Sequence, residues 1–168
     1  MAMAAAIAPL QELIMTDVTE GSIAPDFELA GATGPIRLAD FKGKGVVLYF
    51  YPKDDTTGCT KEAQEFSALA PEFAKADVTV IGVSKDSVAS HAKFTKKYAL
   101  TVPLGSDPEG EVIARYGSWV EKNMYGRTYM GIERSTFLIG KDGRLARVWR
   151  KVKVANHAAE VLKAAQSL

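Results

Sequence analysis

The sequence has few of the residues that most often carry catalysis or metal binding. It contains one cysteine, Cys59, and two histidines among 168 residues. A single cysteine excludes an intramolecular disulfide, which fits a reducing compartment, so we expect a cytoplasmic protein. One cysteine and two distant histidines form no metal-ligand spacing. The sequence also lacks the Gly-rich motifs that bind phosphate groups, so neither a metal nor an organic cofactor is expected.

The sequence also has no excess of positive or negative charge and no long apolar run. The 21 basic and 20 acidic residues leave a formal net charge of +1, which gives no electrostatic reason to expect nucleic acid or an anionic membrane as a partner. The longest apolar runs, such as residues 46–51, are far shorter than the roughly 20 residues of a membrane-spanning helix. The Ala-rich residues 1–17 contain no Lys or Arg, whereas a secretory signal opens with a basic region. We therefore predict an N-terminal extension, residues 1–17, and one soluble domain, residues 18–168.

The hydrophobic pattern of that domain predicts an α/β fold. Residues 46–51 form an unbroken apolar run rich in β-branched and aromatic side chains, which is typical of a central strand covered on both faces. Apolar residues recur at helical spacing over residues 63–73, and residues 78–83 form a second buried strand. The order strand, helix, strand implies a right-handed crossover and parallel pairing.

Shorter patterns complete the prediction. We expect a strand at residues 25–29 with a hairpin partner at 36–38, and a helix that Asp86 and Ser87 cap and that reaches Tyr98. Three further features follow it: a short helix, a hairpin and a C-terminal amphipathic helix, at residues 109–116, 135–149 and 158–165. This order of elements predicts a thioredoxin-like three-layer sandwich, in which helices cover both faces of a central mixed sheet.

Cys59 lies where such a fold favours chemistry. It follows the carboxyl end of the strand at residues 46–51, the edge where ligands bind in open α/β sheets, and it opens the next helix. The N–H groups and the positive dipole end at a helix N-terminus stabilise an anion, and the thiolate is the reactive form of cysteine. The alternative is that Cys59 is a small buried apolar residue. Its polar surroundings, a turn that contains Gly and Thr, favour a functional role.

The residues around Cys59 resemble those of a known enzyme family. Pro52, Thr56 and Cys59 form Pro-x-x-x-Thr-x-x-Cys, which matches the active-site signature of the peroxiredoxins. The longer run at residues 49–62 is similar to the bacterioferritin-comigratory (PrxQ) subfamily, and so are three segments elsewhere, residues 24–27, 121–126 and 133–139. The chain is identified on these motifs as a one-cysteine member of that subfamily, across residues 18–165.

The resemblance implies a thiol-dependent peroxidase that reduces hydrogen peroxide and organic hydroperoxides. The Cys59 thiolate would attack a peroxide oxygen and become a sulfenic acid. The Thr56 hydroxyl would hydrogen-bond with the sulfur or hold the peroxide in line. Pro52 would cover the pocket, although it could equally end the strand, since Pro has no N–H. Arg134 would favour the thiolate and support the negative charge that moves along the peroxide bond.

Four further residues are expected to contact the substrate or support the site. The backbone N–H groups of Gly58 and Cys59 would face the substrate. Glu62 would order Arg134, or it would be only a favourable first-turn carboxylate. Tyr51 and Tyr125 would form walls of the substrate entrance, although structural packing is the alternative for both.

Two positions depart from the subfamily. PrxQ proteins commonly have a second, resolving cysteine at the positions that Gln64 and Thr95 occupy here. The sulfenic acid of this chain therefore needs an external thiol, which we expect to be thioredoxin, glutaredoxin, glutathione or Cys59 of a second subunit. The resemblance also implies a monomer. Two other functions stay open, a redox sensor or chaperone with slow turnover and a thioredoxin-fold binding module with an inert Cys59.

Two polar residues outside the signature receive structural interpretations. His91 falls on a polar helix face and is expected to be solvated. Asp54, together with Asp55, is expected to accept hydrogen bonds from backbone N–H groups before the helix.

Overall fold

The computed structural model describes residues 18–168, so the predicted N-terminal extension, residues 1–17, lies outside the described residues. Within residues 18–168 the chain forms nine strands and four α-helices. The strands are β1 Glu28–Gly31, β2 Gly34–Arg37, β3 Gly45–Phe50, β4 Val78–Ser84, β5 Leu104–Ser106, β6 Trp119–Met124, β7 Arg127–Ile132, β8 Ser135–Ile139 and β9 Leu145–Trp149. The helices are α1 Thr57–Lys75, α2 Val88–Tyr98, α3 Glu111–Arg115 and α4 His157–Gln166, and a short 3-10 helix covers Leu38–Phe41.

The strands form one mixed seven-stranded sheet in the order β2-β1-β5-β4-β3-β8-β9, and β6 and β7 form a separate hairpin. Strand β3 pairs in parallel with β4 and antiparallel with β8, where Phe50 lies opposite Ser135. Every residue of β3 is buried, as the unbroken apolar run predicts for a strand covered on both faces. The predicted central strand, its parallel neighbour and the mixed sheet are confirmed.

The two faces of β3 enter two different cores. Its side chains alternate across the sheet, because successive residues of a strand point to opposite faces. Val47 and Tyr49 pack in one cluster with residues of the long helices α1, α2 and α4. Val46, Leu48 and Phe50 pack in the other cluster with α3 and the base of the β6–β7 hairpin. Helices therefore cover both faces of the sheet, as predicted, and the longer ones cover the face on which Cys59 lies.

Some element boundaries differ from the prediction, and β5, the β6–β7 hairpin and the 3-10 helix are elements that it lacks. The strand expected at residues 25–29 begins at Glu28, and the helix expected at residues 109–116 is shorter, Glu111–Arg115. Strand β5 was not predicted, because three residues are too few to show an alternating pattern. The β6–β7 hairpin was not predicted either, because its outer half is exposed and has no buried face to produce an alternating pattern.

Helix α2 begins after a serine cap, as predicted, whereas Asp86, the other predicted cap residue, bonds to different groups. The Ser87 hydroxyl oxygen accepts a hydrogen bond from the Ser90 N–H at 3.1 Å, which satisfies one free donor of the first turn. Asp86 accepts hydrogen bonds from the Asp54 N–H and the Ser84 hydroxyl instead. In the part of the chain that the structure describes, no helix has both the length and the apolar character needed to cross a membrane.

Candidate active site

The first turn of α1 holds Cys59 at the edge of the sheet. Strand β3 ends at Phe50, Thr56 is the extended N-cap residue, and the helix begins at Thr57. The Thr60 N–H donates to the Thr56 carbonyl at 2.8 Å, so the N–H groups of Thr57, Gly58 and Cys59 precede the first helical hydrogen bond and have no acceptor within the helix. Cys59 itself is 2% exposed. The positive end of the α1 dipole therefore lies at a buried sulfur.

Arg134 reaches this sulfur from the neighbouring strand. Its Nη2 donates to Cys59 Sγ at 3.3 Å, and its Nη1 donates to Glu62 Oε1 at 2.6 Å. Arg134 immediately precedes β8, and the β3–β8 register sets the start of β8 opposite the end of β3. The structure thus brings together three of the predicted residues from distant parts of the chain.

Gly58 allows the guanidinium to approach. A Cβ atom at this position would lie 3.3 Å from Arg134 Nη2, which is a tight contact for a charged nitrogen that also bonds to Cys59. The predicted role of the Gly58 N–H toward substrate stays a prediction, and the missing side chain supplies a second reason for glycine here.

The charges around Cys59 depend on one another. Burial raises the pKa of Glu62 to about 7, although the charge and the hydrogen bond of Arg134 act in the opposite direction. Burial disfavours the charge of Arg134, but Glu62 and Cys59 outweigh it and raise the pKa of Arg134 above its ordinary value. Arg134 is therefore a permanent cation beside the sulfur. Among the described residues, the second carboxyl oxygen of Glu62, Oε2, has no hydrogen-bond partner.

Lys122 brings a second cation near the sulfur, and sequence reasoning assigned it no role. Its aliphatic stem lies over Gly131 on the β6–β7 hairpin. Burial and the charge of Arg134 lower the pKa of Lys122, while Glu133 and Cys59 act in the opposite direction. The segment 121–126 carries part of the resemblance, but only the fold shows that Lys122 is within electrostatic range of Cys59.

Pro52 and Thr56 lie on the exposed side of the turn. The Tyr51 N–H still donates to the Val83 carbonyl at 3.0 Å, so pairing with β4 stops at Pro52, which has no N–H to donate. The interpretation of Pro52 as a strand end is confirmed, whereas its cover over the substrate stays a prediction. The Thr56 hydroxyl donates to the Lys53 carbonyl at 2.8 Å. A role of this hydroxyl toward Cys59 or peroxide stays a prediction. Donation to the sulfur would require the hydroxyl proton to turn from that carbonyl, whereas acceptance of a hydrogen bond from peroxide would not.

The two tyrosines occupy opposite environments. Tyr51 is 1% exposed and its hydroxyl donates to Asp54 Oδ1 at 2.6 Å, so the packing interpretation is confirmed for Tyr51. Tyr125 is 98% exposed at the tip of the β6–β7 hairpin, so the packing interpretation is wrong for Tyr125. A hairpin tip needs a residue with positive φ, which Tyr125 supplies at 54°. Contact of either side chain with substrate stays a prediction.

The interpretations of His91 and Asp54 are wrong. His91 is 4% exposed rather than solvated. It shares the inner face of α2 with Phe94, and its Nδ1 lies 2.8 Å from Asp54 Oδ2. The Asp54 carboxylate accepts hydrogen bonds from side chains, those of Tyr51, Ser90 and His91, and not from backbone N–H groups. No local sequence pattern signals this network, because its members come from different elements.

Asp54, Asp86 and His91 also have the spacing of a possible cation site. One potential ligand atom of each lies within 4.8 Å of the others. Their oxygens already accept hydrogen bonds, Asp54 Oδ2 from Ser90 and Asp86 Oδ2 from Ser84 and the Asp54 N–H. We therefore describe the group as a hydrogen-bond network.

Known proteins resemble this chain in both sequence and fold. Residues 21–148 match the AhpC/TSA family. Peroxiredoxin Bcp of Bacillus subtilis is 51% identical over 144 residues, which cover 85% of this chain and 92% of that protein. Peroxiredoxin Bcp of Xanthomonas campestris is 46% identical over 154 residues, covering 89% and 96%. A solved structure of peroxiredoxin Q from Xanthomonas campestris has a TM-score of 0.80 at 46% identity, and the match covers 84% of this chain and 90% of that one.

These relatives confirm the predicted thioredoxin-like fold and the predicted class of enzyme, a thiol-dependent peroxidase. They also show that the single cysteine distinguishes this chain from a relative that has two. Solved mutants of the Xanthomonas campestris protein replace two different cysteines with serine, whereas this chain has Cys59 alone. The chain belongs to the AhpC/TSA family, in its Bcp/PrxQ peroxiredoxin branch.

Proposed function

We propose that Cys59 is the nucleophile that reduces hydrogen peroxide and organic hydroperoxides. Its thiolate attacks the terminal oxygen of the peroxide, the S–O bond forms and the O–O bond breaks. Cys59 becomes a sulfenic acid, the peroxide is reduced by two electrons, and the leaving oxide takes up a proton and departs as water or an alcohol. The observation that carries this proposal is the 3.3 Å hydrogen bond from Arg134 Nη2 to Cys59 Sγ at the N-terminus of α1.

Arg134 serves the attack in two ways. Its Nη2 is a cationic hydrogen-bond donor to the sulfur before the reaction. The same charge stabilises the negative charge that develops on the leaving oxygen, because it is held in place before the reaction begins. Glu62 keeps the guanidinium in position through the 2.6 Å bond to Nη1, which leaves Nη2 for the sulfur. Pro52, Thr56 and the N–H groups of Gly58 and Cys59 would then orient the peroxide.

Organic hydroperoxides are included for two reasons. A solved structure of the Xanthomonas campestris bacterioferritin comigratory protein concerns its alkyl peroxide reduction activity and a trapped intermediate with ligand. In this chain, the exposed residues Met124, Tyr125, Tyr129 and Met130 on the β6–β7 hairpin would offer apolar contact to an alkyl group. Tyr125 would serve the substrate there, at the outer end of the hairpin.

An external thiol completes the cycle. The sulfenic acid condenses with it to a mixed disulfide and water, and a second thiol releases Cys59 as the free thiol. Glutathione, glutaredoxin and thioredoxin supply such thiols in the cytoplasm, where we infer that the protein works as a monomer. The observation behind this half of the proposal is the single cysteine, since neither Gln64 nor Thr95 can form a disulfide with Cys59.

Intact-mass spectrometry tests the proposal. Reduced protein is mixed with a small excess of hydrogen peroxide or cumene hydroperoxide, with and without dimedone as a sulfenic acid trap. We expect one dimedone adduct, on Cys59, formed much faster than a free thiol reacts, and none in Cys59→Ser. An adduct that forms no faster than with free cysteine would contradict the proposal and would favour an inert Cys59 in a binding module.

A second function, a redox sensor or chaperone with slow turnover, is favoured by the absence of a resolving cysteine. Peroxide consumption with glutathione, glutaredoxin and thioredoxin, each with its reductase and NADPH, separates the two functions. Sustained turnover with at least one donor supports the peroxidase. A single stoichiometric oxidation with every donor supports the sensor.

A further inference from the structure

We propose that Asp54 and His91 form a buried ion pair that positions Cys59 for its reaction with peroxide. The pair would act through the active-site turn, residues 51–56, which joins β3 to α1. Asp54 and His91 are positioning residues and not catalytic residues, because neither contacts the sulfur. This inference rests on the proposed function of Cys59 and adds residues outside the active-site signature.

Every oxygen of the Asp54 carboxylate has a donor. Oδ1 accepts from the Tyr51 hydroxyl at 2.6 Å, and Oδ2 accepts from the Ser90 hydroxyl and from His91 Nδ1, both at 2.8 Å. Burial raises the pKa of Asp54, but hydrogen bonds from His91, Tyr51 and Ser90 outweigh burial and lower the pKa below its usual range. The side chain is therefore a carboxylate, although it is almost fully buried.

Both ring nitrogens of His91 face oxygen acceptors. Nδ1 lies 2.8 Å from Asp54 Oδ2, and Nε2 lies 3.2 Å from the Gly105 carbonyl oxygen. A neutral imidazole has one donor and one acceptor nitrogen, so it would leave one of these oxygens facing a lone pair. The imidazolium form donates to both. The charged or titratable groups around the ring are Asp54, the Tyr51 hydroxyl at 3.4 Å from Nδ1, and Asp86 behind Asp54.

The backbone at Asp54 is fixed as well. Its N–H donates to Asp86 Oδ2 at 2.9 Å, and the Asp86 carbonyl accepts from the Ser106 hydroxyl at 2.6 Å. The middle of the active-site turn is thus attached through its side chain to α2 and through its backbone to the segment before α2. Since α2 and β5 belong to the packed core, the turn has little freedom to shift.

The position of the turn decides where Cys59 meets Arg134. Thr56 at the end of the turn is the N-cap residue of α1, and Cys59 lies in the first turn of that helix. The backbone of Arg134 is held separately, by the antiparallel pairing of β8 with β3 and by a hydrogen bond from the Val152 N–H to the Arg134 carbonyl at 2.9 Å. If the turn moves, Cys59 and the start of α1 move relative to that backbone, which strains the 3.3 Å contact between Nη2 and Sγ although Glu62 of α1 also holds the guanidinium. A misplacement of about 1 Å at a reacting group can lower a rate by about a hundredfold.

A purely stabilising role explains the pair less well. Removing two charges from water is costly, and apolar replacements of buried ion pairs are often neutral or more stable. Asp55, the next residue of the turn, supplies a matched contrast, because it accepts from Lys97 and Tyr98 at the surface. A surface pair of this kind is screened by solvent and contributes little to stability.

Nuclear magnetic resonance of the unmodified chain tests the ion pair without a substitution. The chain has two histidines, and burial lowers the pKa of the other one, His157, to about 4. A long-range ¹H–¹⁵N spectrum at pH 7 should show one neutral ring and one ring with both nitrogens protonated. His91→Asn, which keeps one N–H donor for Asp54, should remove the protonated ring from the spectrum. Two neutral rings at pH 7 would overturn the ion pair.

Kinetics test the positioning role. The second-order rate constant of Cys59 oxidation is measured for His91→Ala, His91→Asn, Asp54→Asn and the control Asp55→Asn. We expect a ten- to hundredfold loss in His91→Ala and Asp54→Asn, partial recovery in His91→Asn, and a value within about twofold of the parent in Asp55→Asn. Asparagine suits position 55 because it tolerates the positive φ of 59° there.

The outcomes separate this inference from the proposed function. A parent chain that does not react with peroxide contradicts the proposed function and leaves the nuclear magnetic resonance result standing. A reactive parent with equal rate constants in folded His91→Ala and Asp54→Asn overturns the positioning role alone. If His91→Ala does not fold, Asp54→Asn decides the question, since its side chain keeps the shape of aspartate.

Discussion

Two buried carboxyl groups flank Cys59, and their environments are opposite. Asp54 precedes the sulfur and has a donor for each oxygen, so its pKa lies below the usual range. Glu62 follows the sulfur and has a donor, Arg134, for one oxygen only. Burial therefore dominates at Glu62 and raises its pKa to about 7. The two buried acids thus have opposite pKa shifts, because Asp54 is the less deeply buried of the two and has more hydrogen-bond donors, whereas Glu62 is the more deeply buried and has fewer.

The difference separates two tasks. The saturated carboxylate at Asp54 has a fixed charge and suits a positioning role. The Glu62 carboxyl has a donor for one oxygen only, and that donor is Arg134, which also contacts the sulfur. Its charge can change near neutral pH, so it can alter the environment of Cys59 where Asp54 cannot.

Removal of Arg134 breaks the Glu62 side of this comparison and should have the largest effect. We expect Arg134→Met to lower the second-order rate constant of Cys59 oxidation by about 10²–10³-fold, the loss seen when a held group that stabilises transition-state charge is deleted. Stopped-flow measurement with hydrogen peroxide gives the rate constant. Arg147→Met, at a side chain that is 48% exposed, is the matched control. A parental rate constant in Arg134→Met would contradict the proposed role of the guanidinium.

Amide replacement of the two acids should sharpen the contrast in stability. Asp54→Asn removes the charge that three donors satisfy, and we expect a loss of about 3 kcal/mol in the free energy of unfolding, because breaking one partner of a buried pair is strongly destabilising. Glu62→Gln keeps an acceptor for Arg134 and removes a buried charge with one oxygen that has no donor, so the variant should be as stable as the parent or more stable at pH 7. Urea unfolding at pH 7 measures both. Equal losses would show that the donor count does not distinguish the two sites.

Glu62 and Asp54 should make the stability of the protein depend on pH in opposite directions. The pKa of Glu62 is raised in the folded state, so its contribution is fully present below pH 4.5 and is lost as the pH rises to about 7. The parent should therefore lose up to about 3 kcal/mol relative to Glu62→Gln across this window. The lowered pKa of Asp54 gives a contribution that is lost only as the pH falls below its ordinary value of 3.8. Urea unfolding at pH 5, 6 and 7 checks this, and a constant difference between parent and variant would refute it.

Loss of one donor to Asp54 should have the smallest effect. Ser90→Ala removes the hydroxyl that donates to Asp54 Oδ2 and leaves the donors Tyr51 and His91. We expect a loss of about 1.5 to 3 kcal/mol in stability, the value of one hydrogen bond to a charged group. Ser87→Ala, at the cap of the same helix, gives the reference for a serine that does not contact Asp54. No change in Ser90→Ala would indicate that the other two donors suffice.

Sequence reasoning succeeded where the signal is local. The apolar run of β3, the helical spacing in α1 and the serine cap of α2 are properties of neighbouring residues, and the structure has each of them. The proximity of Arg134 to Cys59 was expected from the resemblance alone. Its physical cause is the β3–β8 register, which no local pattern contains.

The failures have a physical cause in common. His91 lies in a polar sequence, and its environment depends on Asp54, which the active-site turn places in contact with the inner face of α2. The β6–β7 hairpin is a two-stranded ribbon whose side chains are mostly exposed, so its sequence does not alternate between apolar and polar residues. In both cases residues distant in sequence determine whether a side chain is buried. The secondary-structure propensity of neighbouring residues carries no information about such distant contacts.

The burial of Cys59 has a consequence for the order of events at the sulfur. At 2% exposure the sulfur offers almost no surface to a folded protein. The cysteine of a protein donor therefore needs local opening around the first turn of α1 before it can bond to the sulfenic acid. The oxidised sulfur then has a lifetime set by helix opening, and during that time a second peroxide can convert it to sulfinic acid. A small thiol such as glutathione would shorten that lifetime, because it needs a narrower opening than a folded protein.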